Sequence, residues 1–255
     1  MKIVVLLSIV SSLSAQAAGY TFLSTVSHAL HIPEYTLTFA FVLILLALIG
    51  LIYRAKSNSL EKAIVPDYGI SFRNIIESIG QFVYNVCLQI LGEDRTKIYY
   101  KTIVFLFITI LFSNLIGSIP GFLPPTTNVN VTIALGIFSI IYVNILGIKA
   151  HGLIGHLKHF AGPVWYLSFL ILPLELISEL VKPLSLALRL RGNMSGDHQV
   201  LTIFSGLQEW LVPIPFYALG ILVSCIQAFV FTTLTIIYIS LVTEHHDHGE
   251  GAEHH

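Results

Sequence analysis

Long stretches of this chain contain no Asp, Glu, Lys or Arg, and one of them covers Thr102 to Gly147. A run of that length cannot be covered by polar surface in water, because a soluble domain carries charge on about a quarter of its residues. Here 11% of the 255 residues are charged and 55% are hydrophobic, so the chain reads as an integral membrane protein. The formal net charge is -1 with no run of Lys or Arg, which argues against a nucleic-acid partner.

The same stretches locate the spans. Tyr35 to Tyr53 is charge-free and long enough for one crossing. Thr102 to Gly147 is too long for one, and Pro120, Pro124 and Pro125 around Gly121 divide it into helices over 102–119 and 129–148. Further segments cover 164–198 and 216–242. Ser71 to Leu91 mixes apolar residues with Arg73, Glu77, Asn85 and Gln89, the pattern of an interfacial amphipathic helix. The expected fold class is therefore an all-α integral membrane protein with five transmembrane helices plus that interfacial helix. At 1.5 Å per residue the last two segments measure about 50 and 40 Å, against about 30 Å of hydrocarbon. They are expected to be long and strongly tilted, with Pro173 and Pro183 able to bend the first; an ordinary tilted hairpin with frayed ends is the plainer alternative.

Residues 1–17 carry Lys2, a short apolar run and the small-residue site Ala15-Gln16-Ala17, the pattern of a cleavable secretory signal; an uncleaved anchor is the alternative. Residues 18–34 then form an external N-terminal segment, 35–243 the membrane domain and 244–255 a cytoplasmic His/Glu tail. Arg54, Lys56, Lys62, Arg73, Arg95, Lys97 and Lys101 lie between the first two spans, while the turn from Pro120 to Asn128 has no basic residue. By the positive-inside rule the first region is cytoplasmic and the second external, which puts the C-terminus in the cytoplasm. Trp165, Tyr166 and Trp210 fall near span ends, where amphipathic rings favour the interface.

The fourth segment carries the chemistry. Glu175, Glu179, Lys182, Arg189, Arg191, Asp197 and His198 are ionisable groups in a stretch that is otherwise apolar, and each needs a partner or water. At about 100° per residue, Glu175, Glu179, Lys182, Arg189 and Asn193 fall within roughly 80° of each other and form one polar stripe. Glu175, Glu179 and Lys182 also fit a self-neutralising cytoplasmic end. That does not explain Arg189, set among Leu184, Leu186, Leu188 and Leu190. Guanidinium stays protonated, so Arg189 is a fixed charge and not a proton carrier. Snorkelling to an interface is the plainer alternative for Arg189, and it better suits Arg191, which projects to the opposite side of the helix. In the fifth segment Gly220, Ser224, Gln227, Phe231 and Tyr238 share one face, and Gln227 should meet either the Arg189 stripe or a water-filled cavity. Hydroxyls of Ser224 and Thr235 are expected to bond back to their own helix. Cys87 and Cys225 match no metal or redox spacing and read as apolar packing residues. His151, His156 and His159 beside Lys149 and Lys158 read as a cytoplasmic loop, and the His-rich tail has no structural metal spacing.

Four strings carry a family resemblance: Lys182-Pro-Leu-Ser-Leu-Ala-Leu-Arg-Leu-Arg-Gly-Asn-Met194, Ile226-Gln-Ala-Phe-Val-Phe231, Leu234-Thr-Ile-Ile-Tyr-Ile-Ser240 and Asn128-Val-Asn-Val-Thr132. They resemble the a subunit of rotary F-type ATP synthases of bacterial type, over roughly Tyr35 to Glu244. The resemblance implies a subunit of the bacterial inner membrane, not catalytic alone and without a cofactor or metal. It would lie against a rotating ring of c subunits, beside a b-subunit peripheral stalk and the other ATP synthase subunits. It would offer the transported proton two aqueous half-channels that do not meet. By the same resemblance Arg189 matches the essential arginine that faces the ring carboxylate, and Asn193 and Gln227 match residues of the outer half-channel. His198 takes a position where relatives have Glu or His. Glu175 and Ser178 match the cytoplasmic half-channel, and Gly220, Ser224, Glu179 and Asp197 are secondary candidates. Arg191 and Asp197 depart from the family pattern, which commonly has an apolar or aromatic residue and a small residue there.

A stand-alone ion-coupled secondary transporter would also explain intramembrane charge, but it would show inverted repeats or paired broken segments, and no internal repeat is found. A purely structural scaffold would have no use for Arg189. Copurification with a small, abundant ring-forming proteolipid separates the synthase reading from both.

Overall fold

The computed structural model describes residues 31–56, 71–119, 121–161, 168–205 and 213–243, with 23, 24, 27 and 29 before them. The expected signal 1–17, most of the expected external segment 18–34, Trp165, Tyr166, Trp210 and the tail 244–255 lie outside the described residues.

Every regular element among the described residues is helical. Helix α1, Glu34–Lys56, is apolar all round, as a helix facing lipid must be. Its buried Thr38 and Val42, one turn apart, mark the side that packs on its neighbours. Helix α2, Phe72–Leu91, is strongly amphipathic: Val83, Cys87 and Leu91 enter the core at one-turn spacing, while Gln81, Asn85 and Gln89 stay exposed. Buried Arg73 pairs with Glu77 at 2.6 Å, and Tyr53 donates to the same carboxylate at 3.2 Å, which ties the end of α1 to the start of α2.

Gly92 turns the chain from α2 directly into α3, Glu93–Leu115, at φ +78°, a conformation that favours glycine. The charge-free rule started this helix at Thr102; it begins at Glu93 because its first turns use their charges locally. Glu93 pairs with Lys97 at 2.7 Å, and Arg95 donates back to the carbonyl of Leu91 at 2.9 Å. Beyond α3 come two short 3-10 turns, Ile116–Ser118 and Pro125–Thr127, with Gly121 at φ +91° between them. The carboxamide oxygen of Asn128 accepts from the amide of Asn130 at 2.9 Å and opens α4, Val129–Ala161.

Helix α4 breaks at Gly152, φ +71° and ψ 166°, and then resumes. The stretch around His151, His156 and His159 is therefore helical and not a loop. Its His and Lys content masked Leu153, Ile154, Leu157 and Phe160, which recur at helical spacing. Helix α5, Ser168–Ser205, runs through Pro173 and Pro183 without interruption, and α6 covers Pro213–Thr243. Their lengths, about 57 and 46 Å at 1.5 Å per residue, exceed even the sequence expectation.

Among the described residues four helices are long and apolar enough to cross a membrane: Glu34–Ala55, Glu93–Ser118, Val129–Ala150 and Pro215–Thr243. Helix α5 is the longest described element, and its charged residues keep it out of that set. Helix α6 sits at the centre and packs on α2, α3, α4 and α5. Its Ala228, Phe231, Ile236 and Ile239 join Leu91, Ile103, Ile110, Leu186 and Leu190 in one core. Arg95 reaches Thr243 Oγ1 at 3.3 Å and Asn114 reaches the carbonyl of Ser224 at 3.4 Å. The two contacts have equal spacing on both helices, so α3 and α6 run antiparallel in constant register for about 28 Å.

Candidate functional site

Helix α5 has two unlike faces. Leu186, Ala187, Leu190 and Met194 are buried against the other helices, whereas Leu174, Ile177, Val181, Leu184 and Leu188 are exposed. The described members of the polar stripe, Lys182, Arg189 and Asn193, lie along the boundary between these faces, on the side of α6. Two contacts place them there. Asn193 Nδ2 donates to Gln227 Oε1 at 2.7 Å, and Lys182 Nζ stands over the Tyr238 ring, 5.3 Å from its centroid. The separation is the same on both helices, so α5 and α6 are also antiparallel in register, over about 16 Å.

Arg189 lies between the two contacts. Its side chain is exposed and has no hydrogen bond or ion pair among the described residues, and Leu184 and Leu188 beside it are 47% and 50% exposed. The guanidinium is thus presented at the edge of an apolar surface with no counter-charge among the described residues. Arg191 is exposed on the far side, also without a partner among the described residues.

Gln227, expected to meet the stripe or a water-filled cavity, is 2% exposed and does meet the stripe. Its Nε2 has no partner among the described residues. Asn114 of α3 is equally buried, with its Oδ1 also unmatched, as is the hydroxyl of neighbouring Ser113. Buried polar atoms without protein partners are ordinarily matched by water. Ser224 does not bond back to its own helix as expected; its hydroxyl points at Met194 Sδ, 4.0 Å away. Thr235 does bond back, to the Phe231 carbonyl at 3.0 Å, and also meets Ser139 Oγ of α4 at 2.9 Å. Gly220 is buried on the same face of α6 as Ser224, Gln227 and Phe231. Ser178 is half-buried on α5. Glu175, Glu179, Asp197 and His198 belong to α5, but their side chains lie outside the described residues.

Ser113, Asn114 and Ser139 carry no charge, so they do not stand out in an apolar sequence as the ionisable residues of α5 do. The adjacent pair Ser113-Asn114 inside an apolar run was the available sign. The cysteines divide: Cys87 is a core residue whose burial pushes the thiol up to about 11, whereas Cys225, expected to pack, is exposed on α6.

An all-helical, multi-pass membrane protein with a buried polar seam and a lone arginine on an open apolar face is the class that fold and site define. The family model described as ATP synthase A chain matches residues 3–240, and the chain belongs to that family. The ATP synthase subunit a of Trichlorobacter lovleyi is 41% identical over 226 residues, 86% of this chain and 93% of that protein. Its counterpart in Bdellovibrio bacteriovorus is 40% identical over 200 residues, 78% of this chain and 86% of the relative. That of Geobacter sulfurreducens is 46% identical over 167 residues, 66% and 72% of the two chains.

Proposed function

We propose that this chain is the proton-translocating stator subunit of the membrane sector of a bacterial F-type ATP synthase. The observation that carries the reading is Arg189, exposed at the edge of an apolar face beside the Asn193–Gln227 bond and without a partner among the described residues. An ionised ring carboxylate in hydrocarbon needs a counter-charge, and a permanently protonated guanidinium supplies one without exchanging protons. The same fixed charge repels a proton moving straight from one half-channel to the other.

In this reading α5 is a fifth crossing and α2 lies at the cytoplasmic interface, with the N-terminus outside and the C-terminus inside. The apolar face of α5 lies along the c ring, and other subunits, including the peripheral stalk, contact the remaining surface. Residues after Arg189 on α5 are then nearer the outer side. Asn193, Gln227 and His198 line the outer half-channel, with Asn114 added to them by its unmatched Oδ1. Asp197, Ser224 and Gly220 are neighbours of that path. His198 has the reference pKa, about 6.5, suited to proton exchange. Glu175, Ser178 and Glu179 line the cytoplasmic half-channel. A membrane potential supplies about 2.3 kcal/mol per charge per 100 mV, and routing each proton around the ring turns that energy into torque.

Cysteines placed singly at 193, 198 and 227 test the path in the assembled enzyme. Silver ion should inhibit proton flux through each variant, and labelling at 198 should proceed from the outer face. If all three are inert while a cysteine at 127 in the outer turn reacts, the half-channel does not pass here.

A further inference from the structure

The Lys182–Tyr238 contact is left over by the reading above, which uses Arg189, Asn193 and Gln227 but assigns nothing to an aromatic ring on α6. Most of what holds α5 to α6 is apolar. Leu186 and Leu190 pack near Phe231 and Ala228, and such contacts are non-directional, so they tolerate small rotations and slips of one helix on the other. Directional contacts have to set the register. Along the seam they fall at two ends: Asn193 to Gln227 at 2.7 Å, with the Ser224 hydroxyl pointing at Met194 Sδ beside it at 4.0 Å, and Lys182 over the ring of Tyr238 at 5.3 Å from its centroid. Arg189 falls between them and has no partner of its own among the described residues. Its position against a passing group therefore depends on how α5 is held on both sides. Packing on α4 also holds α5, and one pin alone fixes its register on α6 at that point only.

We propose that Tyr238 is a positioning residue for Arg189. Its ring face holds the Lys182 ammonium, and this fixes the cytoplasmic side of the register that the Asn193–Gln227 bond fixes on the other side. Tyr238 touches neither the proton nor the ring carboxylate; it acts through Lys182 and the α5 backbone. The phenol hydroxyl has no part in this, because the cation is attracted to the ring face. The inference rests on the reading of Arg189 as the residue that faces the rotor.

The test compares variants of the assembled, membrane-embedded enzyme by the initial rate of ATP-driven proton pumping into inverted vesicles, normalised to the amount of ring copurified. Tyr238→Phe should pump as the parent does. Tyr238→Leu should lose about 5-fold, the population factor that one cation–π contact of about 1 kcal/mol represents. Lys182→Met keeps the apolar stem and should show the same loss, and it serves if Tyr238→Leu does not assemble. In a Lys182→Met background Tyr238→Leu should cost nothing more. Normal pumping by Tyr238→Leu or Lys182→Met, failure of Tyr238→Phe, or additive losses in the double variant overturns the proposal. An Arg189→Ala control run beside them separates the two levels. If that control pumps normally, the reading of Arg189 fails; if it is inactive while Tyr238→Leu pumps normally, only the positioning role fails.

Discussion

Asn193 and Gln227 form a side-chain to side-chain hydrogen bond that joins α5 to α6, and its environment makes it costly to break. Gln227 is 2% exposed and its Nε2 already lacks a partner among the described residues, so Asn193→Ala would strand Oε1 as well. Leaving a buried polar group unmatched costs about 1–3 kcal/mol, whereas removing both partners is much cheaper. Asn193→Ala should therefore lower the thermal midpoint of the purified enzyme's membrane sector, and the same change in a Gln227→Leu background should lower it less. Equal shifts in both backgrounds would mean that the two residues do not depend on each other. At this scale the sequence was informative where charge or spacing broke an apolar pattern. The stripe containing Arg189 and Asn193 and the isolated Gln227 are of that kind. Asn114 was not legible, because an uncharged residue inside a span reveals its partner only once α3 and α6 are paired. Cys225 was misread for a related reason: composition cannot say which side of an apolar helix faces out.

The turn between α3 and α4 depends on close approach. A Cβ at Gly117 would stand 2.6 Å from Cβ and Cγ of Pro124, and a proline ring cannot swing aside. Gly117→Ala should destabilise the chain by about 1–3 kcal/mol, the usual range for overpacking, read as less assembled enzyme and a lower thermal midpoint. Gly50, where an added Cβ meets nothing within 4 Å, is the control, and equal behaviour of the two alanine variants would contradict the argument. Spans were legible as elements because lipid selects unbroken apolar runs, and α2 was legible from its two-faced pattern. Their ends were less so. Charge does not end a helix here: α3 begins with Glu93, Asp94, Arg95 and Lys97, and Glu93 pairs with Lys97 while Arg95 donates back to the Leu91 carbonyl. The stretch after Gly152, rich in His and Lys, is helical in the same way.

Across the whole molecule, α6 organises the packing while α5 keeps its apolar side open. Lipid can cover an apolar helix face, but a charge at its edge is costly there without a partner or water. In the proposed function the covering partner is the c ring, and Arg189 stands at the edge of the contact. Core packing around Arg189 comes from Leu186 and Leu190, which do not need the guanidinium, so its removal should spare folding and assembly. The most direct measurement is ATP-driven proton pumping by an assembled Arg189→Ala enzyme in inverted membrane vesicles. The account predicts that ring and stator subunits copurify in normal amounts and that the detached soluble sector hydrolyses ATP as before. No pH gradient should form, and Arg189→Lys should fail too, because a compact ammonium does not reproduce the planar guanidinium. A normal pH gradient from the assembled Arg189→Ala enzyme would contradict it.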